Sequence, residues 1–240
     1  MEFQEVIKAR HSTRAFLPKP IPPEVLDRVL EHAALSPSWS NTHPYRIAIA
    51  QGEVIEDLRK TLLSRYQRAS KLQRASLPGQ LKAWISRDPG LPDGDFKPML
   101  KYPDDLQKRR FECGMGLYET LGIDRKDFVG RDRQMAENFR FFGAPVAIFV
   151  FVHGDTGPYG PLDAGIFLQS LMLAATNEGV GNCAQGALGL YRSPLDKHFN
   201  VPSQYKLLCG VALGYEADHV VNTFQPEKIK HQELTLPAAK

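Results

Sequence analysis

The order of apolar and polar positions predicts a chain of amphipathic helices interrupted by a few strands. Phe3, Val6 and Ile7 recur at helical spacing, and Pro18, Pro20, Pro22 and Pro23 then forbid that helix from continuing. Over residues 23–35, Val25, Leu26, Val29, Leu30, Ala33 and Ala34 mark a second helix, with proline at its start where the missing N–H does no harm. Residues 46–50 read as a strand. Residues 53–75 read as a helix with Ile55, Leu58, Leu62, Leu63 and Tyr66 along one face. Residues 76–103 lose this periodicity and collect Pro78, Gly79, Pro89, Gly90, Pro92, Gly94, Pro98 and Pro103. That segment is expected to be an insertion or lid, with one helical turn or two around Leu81, Trp84 and Ile85.

Residues 104–121 look helical, and Asp124 is the expected N-cap of another helix running toward Phe142. Residues 145–152 form an unbroken β-branched and aromatic run, the pattern of a central strand covered on both faces. Residues 162–178 are apolar nearly all round, which places that helix in a core or an interface, and Gly179 ends it as a C′ glycine would. Short strands are expected at residues 182–188 and 206–214. Beyond Tyr215 the polar tail reads as an arm reaching over a neighbour. These elements fit one α+β domain over residues 1–240, with a central mixed sheet flanked by helices.

Composition changes this picture little. The 30 basic residues exceed the 27 acidic ones by only three and form no long run, so nucleic acid is not expected as a partner. Cys113, Cys183 and Cys209 are scattered, which argues against zinc and a disulfide framework and for a reducing cytoplasm. No apolar run approaches membrane-spanning length.

The candidate chemistry begins at Lys8-Ala9-Arg10-His11-Ser12-Thr13-Arg14-Ala15-Phe16. Three groups able to carry positive charge and two hydroxyls crowd the end of a helix, where they could cradle a phosphate dianion or simply form a solvated basic patch. The loop Ser36-Pro37-Ser38-Trp39-Ser40-Asn41-Thr42-His43-Pro44-Tyr45 is rich in short donors and precedes a strand, a common place for a site. Its Asn and Ser side chains could equally fold the loop on itself. His43, His153, His198 and His219 lack metal-ligand spacing, so no metal is expected.

Three segments together resemble the FMN-dependent nitroreductase family. They are Arg10-His11-Ser12-Thr13-Arg14-Ala15-Phe16, close to R-[RH]-S-x-[RK]-x-F; the Ser36–Tyr45 loop, similar to A-P-S-x-x-N-x-Q-P-W; and Gly179-Val180-Gly181-Asn182-Cys183-Ala184-Gln185-Gly186-Ala187-Leu188, similar to G-x-G-x-C-x-x-x-A-x. Gly214-Tyr215 and Asn222-Thr223-Phe224 follow as in that family. Three departures stand out: His43 replaces a usual Gln, Tyr45 a frequent Trp, and Gly186 an acidic residue common in longer relatives.

The resemblance implies FMN, a nitroreductase-like fold and a homodimer with a swapped C-terminal arm. By resemblance, Arg10, His11 and Ser12 take the phosphate and ribityl end, and Arg14 lies at the pyrimidine edge. Ser38, Ser40 and Asn41 meet flavin heteroatoms, Asn138 (rather than Arg140) the pyrimidine and ribityl groups, and Ala184, Gln185 and Gly186 the ring. Lys228, with Lys230 as fallback, closes on the phosphate. The chemistry stays on the flavin, with no catalytic side chain: hydride passes from NAD(P)H to N5 and on to nitroaromatics, quinones or related acceptors by a ping-pong route. Ene reduction, dehalogenation or flavin destruction on the same scaffold, and a non-enzymatic FMN-sequestering or sensing role, are the alternatives.

Overall fold

The computed structural model describes residues 1–99 and 101–239. Helix α1 (Phe3–Ala9) is followed by α2 (Pro23–Ala34), strand β1 (Tyr45–Gln51) and the long α3 (Gly52–Gln73). Helices α4 (Leu77–Ile85), α5 (Asp104–Thr120) and α6 (Phe128–Ala136) precede β2 (Val146–His153) and α7 (Tyr159–Asn177). Strand β3 (Gly181–Gln185), the short α8 (Ser193–Asp196), β4 (Tyr205–Gly214) and the short α9 (His231–Leu234) complete the described chain. Among the described residues no helix is long and apolar enough to cross a membrane.

The sheet runs β1-β2-β4-β3, and every pairing of these strands is antiparallel. The mixed sheet expected from the sequence therefore reduces, within the described residues, to a four-stranded antiparallel sheet. Its parallel component is an isolated bridge from Ser12 to Asn182. Strand β2 is central, and its alternation divides the core in two. Ala147, Phe149 and Phe151 point to α3 and the segment 137–143; Val146, Ile148, Val150 and Val152 point to α2 and α7. Each of the valine, isoleucine and phenylalanine side chains contributes roughly 1.5–3 kcal/mol by leaving water.

Helix α7 presents Ala164, Phe167, Leu171, Ala174 and Ala175 to the sheet, spaced as one helical face. Leu162 and Ile166, on its other side, are exposed. Gly179 follows with φ +71°, the left-handed conformation of a C′ residue. Asp124 does not cap α6. Its Oδ1 accepts from Lys126 N at 2.7 Å, and Asp127 caps the helix instead, accepting from Gly130 N at 2.8 Å. The helix expected to reach Phe142 stops at Ala136, and Glu137–Gly143 tightens into 3₁₀ turns. Phe141 and Phe142 both sit at φ 54°, a conformation costing roughly 1–2 kcal/mol per residue. Their rings lie in the core, which offsets that cost.

Residues 76–103 hold a nine-residue helix, α4, and then a strap clipped to the start of β4. Asp95 Oδ2 accepts from Arg192 Nη1 at 2.7 Å and from Leu207 N at 2.6 Å. Asp93 engages Arg65, Ser193 and the Arg192 N–H. Gly94 passes so close to Gly189 that a Cβ there would lie 2.0 Å from the Gly189 carbonyl oxygen.

Candidate active site

Strand β3 is an edge strand, and the segment after α1 lies along its open side. Thr13 N donates to Asn182 O at 2.9 Å, beside the Ser12–Asn182 bridge. An extended segment alternates its side chains between faces, and residues 10–14 do so. On the α3 side, burial pushes the Cys183 thiol up, against the opposing influence of the Arg14 guanidinium, a hydrogen bond with Ser12 and the charge of Arg10. Arg10, Ser12 and Arg14 therefore alternate along the open edge of β3, with Ser12 bridged to Asn182. On the α7 side, Thr13 Oγ1 donates to Glu216 Oε2 at 3.0 Å, and His11 Nε2 lies 2.7 Å from the same oxygen. His11 Nδ1 also lies 2.8 Å from Ala9 O. The sequence grouped His11 with Arg10 and Ser12; the fold turns its ring to the opposite face.

Arg14 is fixed from several directions. Its Nη1 donates to Ser12 O at 3.3 Å, its guanidinium lies 5.7 Å from the Phe224 ring centre, and its backbone N–H donates to Asn222 Oδ1 at 2.7 Å. The buried Asn222 also accepts from Ala15 N and donates to the carbonyls of Ala15 and Ala217. Asn222 served in the sequence only as a landmark of the tail, and the structure makes it the pin that holds the cationic segment.

Gln185, at the end of β3, is buried and faces the same side as Cys183. Its Nε2 donates to Asn138 O at 2.8 Å, while its Oε1 is buried without a donor. Gly186 opens the turn after β3, and a Cβ placed there would meet nothing within 4 Å. Ala184 is exposed on the other face of the strand. The fold thus brings together Arg10, Ser12, Arg14, Asn138, Gln185 and Gly186, with Ala184 at the rim. A cavity of about 780 Å³ lies apart from them, between Pro18, Ile21, Gln51 and Lys60.

Ser38, Ser40 and Asn41 do not join this group. They precede Tyr45, which pairs with Val152 at one end of the outer strand β1, whereas Asn182 lies on the opposite edge, level with Gln51. Three strand spacings and six residues separate the two corners, about 14 Å across the sheet and about 20 Å along it. The loop is nonetheless built with care. Ser38 Oγ accepts from His43 N at 2.9 Å, and His43 Nε2 lies 2.8 Å from Asn41 Oδ1. Both carboxylate oxygens of the buried Asp163 accept from Trp39 N. Ser40, Asn41 and His43 all have positive φ, strain of the kind concentrated at functional sites. Asp163 escaped the sequence reading, although a lone carboxylate in the most apolar helix was a signal of it. Lys228 and Lys230 are exposed on the tail, and among the described residues neither forms an ion pair with this region.

Comparison with known proteins identifies the family. The model of the nitroreductase family matches residues 7–215. A 4-nitrobenzoate reductase of Pseudomonas putida is 30% identical over 98% of this chain and 94% of its own length. Nitroreductase NfnB of Mycolicibacterium smegmatis is 31% identical over 90% of this chain and 83% of its own length. A crystal structure of FMN-dependent NfnB from Mycobacterium smegmatis in complex with NADPH superimposes with a TM-score of 0.82 at 29% identity, covering 98% of this chain and 97% of that one. The FMN- and NADPH-dependent NfnB from sphigopyxis sp. strain HMH gives 0.83 at 27% identity, with full coverage of both chains. The fold, the cationic edge of β3 and these similarities agree: the chain belongs to the nitroreductase family.

Proposed function

We propose that this protein is an FMN-dependent oxidoreductase that uses NAD(P)H to reduce nitroaromatic compounds, nitrobenzoates among them. The observation that carries the reading is the seating of Arg10, Ser12 and Arg14 along the open edge of β3, the strand that ends at Gln185 and its contact with Asn138. The group fits FMN. Neither arginine is paired with a carboxylate among the described residues, so their charge is free to meet a phosphate. Gly186 leaves room for a flat ring to approach the main chain, and the orphaned Gln185 Oε1 and the Asn138 amide are polar groups in reach of its edge.

When bound, FMN supplies the site that takes hydride from the nicotinamide and delivers it to the acceptor. Arg10 and Ser12 hold the phosphate. Arg14, kept in place by Asn222 and Phe224, sets a fixed positive charge that favours added electron density at the pyrimidine edge. Cys183, its thiol suppressed by burial, packs and does not react.

The site is completed by a second copy of the chain, which brings Ser38, Ser40 and Asn41. Their separation from Arg14 within one chain supports this, as does the exposed outer side of α7. The accessible surface of 14972 Å² is well above the about 10,800 Å² expected of a compact monomer of this mass. Lys228 reaches a phosphate through the same exchange of C-terminal arms.

The test is spectroscopic. Purified protein loaded with FMN should be bleached by NADPH or NADH under anaerobic conditions and recoloured by 4-nitrobenzoate. Protein that stays yellow in the presence of both nicotinamides is a flavin-binding protein without this activity.

A further inference from the structure

A second cationic cleft lies outside these residues, between α5 and α6. Arg110, Phe111, Gly114, Met115 and Tyr118 line it from one face of α5, while Arg125 and Arg131 close it from the other side, around a cavity of about 420 Å³. Its guanidiniums lie against aromatic faces: Arg125 5.3 Å from the Phe111 centroid, Arg131 5.2 Å from that of Tyr118, and Arg110 5.1 Å from that of Tyr102. Arg131 Nη1 donates to Arg125 O at 3.1 Å, and its Nε is buried with no acceptor.

Among the described residues no carboxylate pairs with any of the three. Asp124 and Asp127, in the link that carries Arg125, accept from the backbone amides of Lys126 and Gly130. Three uncompensated guanidiniums beside an aromatic and methionine wall form a receptor for a flat group bearing a dianion. Helix α5 also relates this cleft to the flavin residues. Gly116, on the far side of the helix, packs against the Phe224 ring, which in turn lies under Arg14. Helix α5, about 10 Å across, and then the Phe224 ring therefore stand between the cleft and Arg14. The sequence has no glycine-rich dinucleotide fingerprint, so the phosphates of a visiting nicotinamide need a cradle of another kind.

We propose that the cleft between α5 and α6 binds the 2′-phosphoadenosine end of NADPH, the arginines holding the 2′-phosphate and the aromatic wall receiving the adenine. The assignment rests on the flavin reading for the other end of the dinucleotide and makes the protein selective for NADPH over NADH.

The test uses Arg110→Gln and Arg125→Gln, both exposed positions, with Lys108→Gln as a control for general loss of positive charge. Calorimetry of the flavin-loaded protein with adenosine 2′,5′-bisphosphate should show binding that each arginine variant weakens roughly tenfold or more. Steady-state assays should show the KM for NADPH rising by a similar factor in both variants, with the KM for NADH within about twofold of wild type. Lys108→Gln should match wild type in both measurements. Absence of bisphosphate binding to yellow protein overturns the proposal. So does an equal rise in both nicotinamide KM values, or a rise confined to the KM for 4-nitrobenzoate, which assigns the cleft to the acceptor. A colourless protein that still binds the bisphosphate refutes the flavin reading and leaves this site standing.

Discussion

The backbone N–H of Arg14 donates to the side chain of Asn222 at 2.7 Å across 208 residues of sequence. The same amide holds Ala15 at both its N–H and its carbonyl. An extended segment lying on an edge strand has little else to fix its position, so the cationic residues are placed by a residue near the other end of the chain.

Asn222→Ala removes four hydrogen bonds from a buried position and leaves backbone groups of Arg14 and Ala15 unmatched. Stability in urea should fall by roughly 2–4 kcal/mol, and FMN should dissociate more readily. Wild-type values for both would show that Asn222 is not the pin.

Arg14→Ala should leave the far-ultraviolet circular dichroism unchanged, since the side chain contributes only a Phe224 contact and one local hydrogen bond to the fold. The dissociation constant for FMN should rise roughly tenfold or more, and bleaching by the nicotinamide should slow. Full flavin content with an unaltered rate would remove Arg14 from the site.

Complementation tests the shared site. Arg14→Ala and Asn41→Ala homodimers should each be impaired. Mixed dimers, formed by co-expression with different tags, should recover about a quarter to a half of wild-type turnover, because one of their two sites is intact. No recovery in the mixed species would place both residues in the site of one chain.

Gly94→Ala drives a methyl group into the Gly189 carbonyl, and relief requires the strap to lift from β4. The expected cost is roughly 1–3 kcal/mol, with limited proteolysis appearing first between residues 86 and 102. Flavin affinity should change less than stability, because the strap is clipped to Arg192 and Leu207 and not to Arg14.

The strap also carries a pH signature. Burial works to raise the Asp93 carboxyl, but hydrogen bonds from Ser193, Arg65 and the Arg192 N–H outweigh it and hold the group below its usual value. A depressed acid stabilises the fold above its unfolded pKa, and that stability is lost as pH falls through the folded value. Wild type should therefore lose stability below about pH 4 more steeply than Asp93→Asn. Identical acid limbs in the two proteins would exclude this linkage.

Much of the fold was legible in the residues themselves. The unbroken β-branched and aromatic run of β2 is the pattern of a strand covered on both faces, and Gly179 could end α7 because glycine takes the left-handed turn without strain. Other features depend on context. Asp124 and Asp127 are both acceptable caps, and the choice follows from how the turn after α5 closes. His11 was grouped with Arg10 and Ser12 by resemblance, whereas an extended stretch sends adjacent side chains to opposite faces. The distance between Asn41 and Arg14 follows from strand order, which local pattern does not encode. The cleft of Arg110, Arg125 and Arg131 was hidden for the same reason, since its residues come from two helices and their link.

The two corners of the sheet that carry Asn41 and Arg14 have a kinetic corollary. With the site shared between two chains as proposed, a protomer is competent only in company, so specific activity should fall on dilution past the point where protomers part, although each remains folded. Abundance itself then becomes a control on turnover, acting with no effector and no covalent change.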